Sequence, residues 1–156
     1  MTKNFKYFFI FLFLLSCGYT PVYQIKKDSN IRIDTIDFTG DKNIGREIIR
    51  GLENFEKNDA KNIFDLDFNT SKQEIIVSKD KKGNAASYKL TLEVDINLKN
   101  NYNDKNFTKK FSKNMSFNSK NNKFELDQYR LNLEKNMISQ ILQDINLYLR
   151  NLKNDL

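Results

Sequence analysis

The sequence predicts a two-layer α+β domain, with two helices packed on one face of a mostly antiparallel four-stranded sheet. Between residues 64 and 117, apolar side chains alternate with polar ones in three consecutive segments, as they do in half-buried strands joined by short turns. Residues 44–56 and 124–153 instead carry apolar residues at helical spacing, each in a single stripe. With a first strand near residue 31, the order is β-α-β-β-β-α, and the second face of the sheet should remain polar.

The chain begins with a predicted export signal. Lys3 and Lys6 precede an unbroken apolar run over residues 7–15, which is followed by Ser16 and by the only cysteine, Cys17. A charged start, an apolar run and a small residue at a cleavage point form a secretory signal peptide. The run is about half the roughly 20 residues that a permanent transmembrane helix needs.

Cys17 ends the sequence Leu14-Leu15-Ser16-Cys17, which resembles the bacterial lipobox, where cleavage precedes a cysteine that receives a diacylglycerol. The alternative is an N-terminal membrane anchor with an incidental cysteine. A lone cysteine in an exported protein has no disulfide partner, which favours lipidation. We therefore predict no cofactor other than a covalent N-acyl diacylglycerol on Cys17. The predicted organisation is a signal peptide over residues 1–16, a lipid-anchored tether over 17–29 and one domain over 30–156.

The first strand covers residues 31–38, where the apolar alternation slips by one position near Asp34 and Thr35 and predicts a bulge. A turn follows at residues 39–41. Asn43 is the predicted N-cap of an amphipathic helix over residues 44–56.

The second strand runs from residue 64 to residue 77, with an expected break or bend at 69–71. A turn at residues 80–84 offers Gly83 for positive φ. Residues 88–98 then alternate without error and form the clearest strand, with Leu92 and Val94 on the predicted core face.

A turn at residues 100–104 leads to a fourth strand over residues 107–117. After a loop, the long C-terminal helix should extend for roughly 40 Å at about 1.5 Å per residue. Its predicted apolar stripe comprises Leu126, Tyr129, Leu133, Met137, Ile141, Ile145, Tyr148 and Leu152, widened by Leu131, Ile138, Leu142 and Leu149.

The residue types argue against an enzyme. The chain has no histidine, and acylation of its single cysteine would leave no common nucleophile–base pair. The carboxylate pairs Asp65/Asp67 and Glu93/Asp95 have strand spacing and should lie on a solvated face, as ordinary strand residues do. We therefore predict neither catalytic nor metal-ligating residues.

Lys79, Lys81 and Lys82 form a basic cluster at the predicted hairpin tip. One interpretation is an ordinary solvated turn; the other is a contact with anionic lipid phosphates or with acidic groups in a lumen. The formal net charge of the whole chain is only +6, and export argues against nucleic acid as the partner.

Several motifs occur in an order that resembles the LPS-assembly lipoprotein LptE family in its alphaproteobacterial form. Residues 17–23 are similar to its start, "CGF-x-P-LY", and residues 36–41 to its first strand and exit turn. Residues 79–90 are similar to the central hairpin, "G-x-A-x-x-Y-x-L", and residues 124–129 to the entry into the long helix.

The resemblance implies two helices on a four-stranded sheet, as the residue pattern does. It also implies an outer-membrane lipoprotein without catalysis that plugs the LptD β-barrel, assists its assembly and binds lipopolysaccharide in transit. None of the family's basic contact residues is carried over, so Lys79, Lys81 and Lys82 are candidates from the pattern alone. The alternative is a structural or adaptor lipoprotein of another envelope machine, such as barrel assembly or an ABC-transport accessory.

Overall fold

The computed structural model describes residues 31–56, 60–103 and 105–152. The predicted signal peptide, Cys17 and the tether lie outside these residues. The elements are β1 (Ile31–Gly40), α1 (Lys42–Glu56), β2 (Asn62–Lys79), β3 (Ala85–Asn100), β4 (Asn106–Asn118) and α2 (Lys123–Asn151). Their order and the α+β class confirm the prediction from the sequence.

The four strands form one open sheet in the order β1-β2-β3-β4. β1 and β2 are parallel, because α1 carries the chain back between them, while β2–β3 and β3–β4 are antiparallel. The sheet is thus mostly antiparallel, as predicted. The register of β1 against β2 shifts between Ile33 and Thr35, which confirms the expected bulge.

The core lies between the helices and one face of the sheet. On β3, every second side chain from Leu90 to Leu98 is buried, and Leu92 and Val94 have no exposed surface. The helices bring their own apolar residues to the same core, which on α1 are Ile44, Ile48, Leu52 and Phe55, and on α2 are Leu126, Met137, Ile138, Ile141, Ile145 and Leu149. The buried face of β3 is therefore the one that the sequence predicts.

The second face of the sheet is polar. Asp67 pairs with Asn97, Asn69 pairs with Asp95, and Glu93 lies opposite Ser112 on β4. No helix among the described residues covers this face, since both helices contribute to the single core on the other side. It is the polar, solvent-exposed face that the sequence predicts.

The expected break in β2 at residues 69–71 was wrong, because β2 is one strand of 18 residues. Thr70 is 2% exposed, and its hydroxyl donates to the carbonyl oxygens of Thr39 and Asp41 at 3.2 and 3.1 Å. Its neighbour Asn69 accepts from the Thr39 hydroxyl at 3.0 Å. These polar residues can therefore lie within a continuous strand, because their side chains form hydrogen bonds with groups at the end of β1 and just after it.

Two local predictions about the helices also need correction. Asp41, not Asn43, caps α1, since its Oδ1 accepts from the amides of Asn43 and Ile44 at 2.9 and 3.2 Å. Leu131, expected in the apolar stripe of α2, is 51% exposed. It borders an open groove between the first half of α1 and the middle of α2.

Candidate binding surface

The β2–β3 hairpin forms an arm that extends beyond β1. The last residue pair between β1 and β2 is Gly40 with Thr70, whereas β2 continues to Lys79 and stays paired with β3 to Ala85. β4 accompanies β3 on the other side as far as Asn118, which lies opposite Ser87. The arm is therefore open along its β2 side and ends in a turn.

Asp80 organises this turn. Its Oδ1 accepts from the amides of Lys82 and Asn84, both at 2.8 Å, and its Oδ2 accepts from Asn84 Nδ2 at 3.2 Å. Gly83 has a φ of 86°, which places it in the left-handed region and confirms its predicted role. The hydrogen bonds from Asn84, followed by those from Lys82 and Gly83, lower the pKa of Asp80. The Asp80 carboxylate thus accepts its hydrogen bonds from residues of the turn itself.

The structure places Lys79, Lys81 and Lys82 together at this tip, all exposed. None of the three forms an ion pair with a described residue. The Ser119 amide donates to the Ala86 carbonyl at 2.9 Å, which brings the loop before α2 to the same end of the sheet. The tip is therefore a basic end of the described domain.

The exposed residues Lys120 and Lys123 join this end through that loop, and the sequence analysis did not include them. They lie about 40 positions from the tip in the sequence, and only the antiparallel register of β3 and β4 brings them near it. The signal that could have found them was the predicted pairing of two consecutive antiparallel strands joined by a short turn, which brings the end of β4 beside the start of β3. We call Lys79, Lys81, Lys82, Lys120 and Lys123 the basic end.

Apolar side chains are exposed close to the basic end. Ile75, Ile76 and Val77 on β2 are 47%, 51% and 55% exposed, and Phe124 on α2 is 69% exposed. Three consecutive half-exposed aliphatic residues on an open strand are a feature that marks interaction surfaces. The basic end thus combines positive charge with an apolar margin.

Arg130 on α2 holds the helix against the arm. Its guanidinium donates to both carboxylate oxygens of Glu74 at 3.0 and 2.7 Å and lies 4.9 Å from the centre of the Tyr88 ring. Partial burial opposes its charge, but the bonds to Glu74 and Asp127 outweigh that cost and raise the pKa of Arg130. Arg130 is therefore a structural cation and is not free for a ligand.

Lys72 is likewise a structural cation, at the base of the arm. Its Nζ lies 3.1 Å from Glu134 Oε2 on α2 and 3.6 Å from Asp41 Oδ2 at the start of α1. Partial burial opposes the charge of Lys72, but both carboxylates together raise its pKa. For Asp41, burial alone would raise the pKa, whereas the amides of Ile44 and Asn43 and the charge of Lys72 lower it. Lys72 thus ties β2 to both helices.

Carboxylates on the polar face are paired with neighbouring side chains. No group of three or more potential metal ligands occurs among the described residues. Asp65 accepts from the Thr35 hydroxyl at 2.7 Å, and Lys110 pairs with Glu93 at 2.8 Å and with Asp95 at 4.0 Å. Neither helix of the described part is long and apolar enough to cross a membrane.

Taken together, the chain is an α+β sandwich with one closed core, one open polar face and a basic hairpin arm. No family model matches the sequence, and no curated protein matches it significantly. Among solved structures, rare lipoprotein B from Shewanella oneidensis is similar over 76% of this chain and 98% of its own, with a TM-score of 0.55 and 17% identity.

Two further lipoproteins share this architecture. A minor lipoprotein from Acinetobacter baumannii has a TM-score of 0.52 and 10% identity, and the match covers 77% of this chain and 94% of that chain. Lipoprotein B from Nitrosomonas europaea has a TM-score of 0.50 and 14% identity, with 82% and 88% covered. The fold is that of these bacterial lipoproteins, which agrees with the resemblance to the LptE family found in the sequence.

Proposed function

We propose that this protein is an outer-membrane lipoprotein that plugs the LptD β-barrel, helps it assemble and binds lipopolysaccharide on its way to the cell surface. The observation that carries the proposal is the fold shared with bacterial lipoproteins, which fits the signal peptide predicted for residues 1–16 and the lipidation predicted at Cys17. Lipid attached to Cys17 would hold the domain at the membrane, because two or more acyl chains give stable anchoring.

The polar face of the sheet supports a position inside a barrel. The lumen of a large outer-membrane barrel is polar, so a plug needs a surface that tolerates water and charge on the side that meets the wall. Asp67, Asn97, Asp95 and Lys110 present mixed charges and amides there. This face could form many exchangeable polar contacts without burying an unpaired charge.

The basic end supports contact with lipopolysaccharide. Lipopolysaccharide carries phosphates next to acyl chains, and the basic end places exposed lysines next to exposed aliphatic side chains and Phe124. Lysine binds phosphate as a point charge, and the apolar margin would shield acyl carbons from water. The function proposed here is binding and transfer, with no covalent step.

Affinity purification of the lipidated chain from its native membranes tests this proposal. The expected result is one dominant β-barrel of the lipopolysaccharide-assembly type in near-stoichiometric amount, with lipopolysaccharide bound to the complex. Recovery of subunits from barrel assembly or of an ABC transporter, without such a barrel, would instead support an adaptor lipoprotein. Addition of the solubilised barrel to the purified chain would check that the two bind directly.

A further inference from the structure

β2 has an open edge beyond the end of β1. The residue pairs between β1 and β2 stop at Gly40 and Thr70, while residues 71–79 of β2 are all exposed and pair only with β3 among the described residues. An open edge offers unpaired backbone groups to any extended chain of suitable sequence. α1 begins at Lys42, just after β1 ends, and contributes its buried residues to the core on the face of the sheet.

The backbone geometry shows which groups point outwards. The Thr70 carbonyl accepts from the Asp41 amide at 3.3 Å, so Thr70 directs its backbone groups towards the β1 side. In a strand, successive residues direct their amide and carbonyl groups to opposite sides. Lys72, Glu74 and Ile76 therefore present theirs to the open edge, whereas Gln73 and Ile75 are bonded to β3.

The side chains along this edge do not protect it. Natural edge strands are usually guarded by free charges, proline or bulges. Here the charges of Lys72 and Glu74 are neutralised within the domain, by Glu134 and Asp41 and by Arg130. The register irregularity lies only after Ile76, so the stretch before it is regular. This regular stretch leads into the exposed aliphatic residues and then into the lysines of the tip.

We propose that an extended segment of the barrel partner binds along residues 71–77 as a fifth strand of this sheet, and this inference rests on the proposed function. The segment would carry aliphatic residues opposite Ile75, Ile76 and Val77, because these are the exposed apolar side chains of the edge. Its carboxylates would lie towards Lys79 and the tip, where the positive charge is uncompensated. Main-chain hydrogen bonds supply the affinity in this mode of recognition, and side chains supply the specificity.

A second copy of this chain is a poorer occupant by charge. In a parallel arrangement, it would place a second lysine-rich tip beside the first, where carboxylates would be the complementary groups. A self-associated form is therefore treated as an outcome that overturns the proposal.

A proline substitution distinguishes the contribution of the backbone hydrogen bond to binding from that of the side chain. Ile76→Pro removes an amide that points to the open edge, and proline is tolerated at strand edges where the lost donor faces solvent. Ile76→Thr is the matched control, because it removes the same apolar surface and keeps both the amide and the β-branched shape. We expect Ile76→Pro to bind the purified barrel at least about tenfold more weakly than Ile76→Thr does.

Amide hydrogen exchange on the unmodified protein provides the second readout. Free of the barrel, the amides of Lys72, Glu74 and Ile76 should exchange quickly and those of Gln73 and Ile75 slowly. In the complex, the first three should become protected. If the complex forms and their exchange is unchanged, the proposal is overturned while barrel binding stands.

The remaining outcomes are also decisive. If no complex forms with the unmodified chain, the proposed function fails together with this inference. If the free chain is a dimer that Ile76→Pro dissociates, the occupant is a second copy, and the proposal of a barrel segment is wrong. If Ile76→Pro does not fold, the exchange measurement alone decides.

Discussion

At the scale of single residues, the core of this domain depends on the alternation of buried and exposed side chains along β3. Leu92 and Val94 on β3 have no exposed surface, and both lie on the face that the helices cover. Their neighbour Thr91 lies on the opposite, polar face. A substitution at either kind of position therefore reports directly on which face is buried.

Leu92→Ala should lower the free energy of unfolding by about 2–5 kcal/mol, through lost burial and the cavity left behind. Val94→Asp should be worse, since it places an unpaired charge in the core. Thr91→Val, the control, should change stability by no more than about 0.5 kcal/mol. Urea unfolding measures all three, and equal stability of Leu92→Ala and the unmodified protein would refute the burial of this face.

Asp41 combines two tasks, since it caps α1 and pairs with Lys72. Asp41→Ala should lower the free energy of unfolding by about 0.5–2 kcal/mol at pH 7, the usual cost of losing an N-cap. Asp41→Asn should retain most of the cap and lose only the charge.

The contribution of the Asp41 charge should depend on pH in a defined direction. Because its pKa is lowered in the folded state, the charge stabilises the protein above about pH 4 and loses that effect as the pH falls through the folded pKa. The stability difference between the unmodified protein and Asp41→Asn should therefore narrow below about pH 4. Unfolding curves at pH 7 and pH 3 that show the same difference would contradict this reasoning.

At the scale of elements, the β2–β3 hairpin extends as a paired arm beyond the end of β1. Its base is held by Lys72 and its middle by the pair of Glu74 and Arg130. Its tip is stabilised within itself by Asp80. The tip can thus change its charges without disturbing the fold.

Replacement of Lys79, Lys81 and Lys82 by glutamate should weaken binding of lipopolysaccharide or of the barrel by about 3- to 100-fold, as expected for three exposed ion pairs. Raised salt should reduce binding by the unmodified protein in the same way, because exposed charges are screened. The melting temperature should change little. Binding titrations at low and high salt give both results.

The control for this prediction is an equal charge reversal far from the tip. Lys61, Lys105 and Lys109 are exposed and lie towards the opposite end of the sheet. Their replacement by glutamate changes the net charge by the same amount and should leave binding nearly unchanged. An equal loss of binding in both triple variants would mean that the tip is only a solvated turn.

At the scale of the whole molecule, the proposed function depends on the attachment of this domain to a membrane. The described residues begin at Ile31, so the predicted anchor and tether precede them. The tether would allow the domain to stand away from the lipid surface. The localisation of the protein would then be determined by its N-terminal residues and not by its fold.

Cys17 is predicted to be the lipidated N-terminal residue of the mature protein. Mass spectrometry of the mature N-terminus should find acyl chains on Cys17, and Cys17→Ala should leave the unprocessed precursor in the inner membrane. Gly18 follows Cys17, in place of the aspartate that would resemble an inner-membrane retention signal, so the mature protein should fractionate with the outer membrane. An unmodified Cys17 in the mature protein would disprove the prediction.

The sequence by itself determined the order of the elements, the bulge in β1, the turn at Gly83 and the buried face of β3. These features depend on local periodicity and on backbone preferences, which single segments express. The continuous β2 was not predictable, because the polar residues 69–71 are satisfied only by their contact with the end of β1.

The tertiary structure alone decided what surrounds the candidate surface. Lys120 and Lys123 reach the basic end only through the register of two paired strands, and Lys72 and Arg130 are neutralised by carboxylates far away in the chain. The open edge of β2 likewise exists only because β1 ends at Gly40. Each of these features is a relation between distant segments, so no local pattern in the sequence could reveal it.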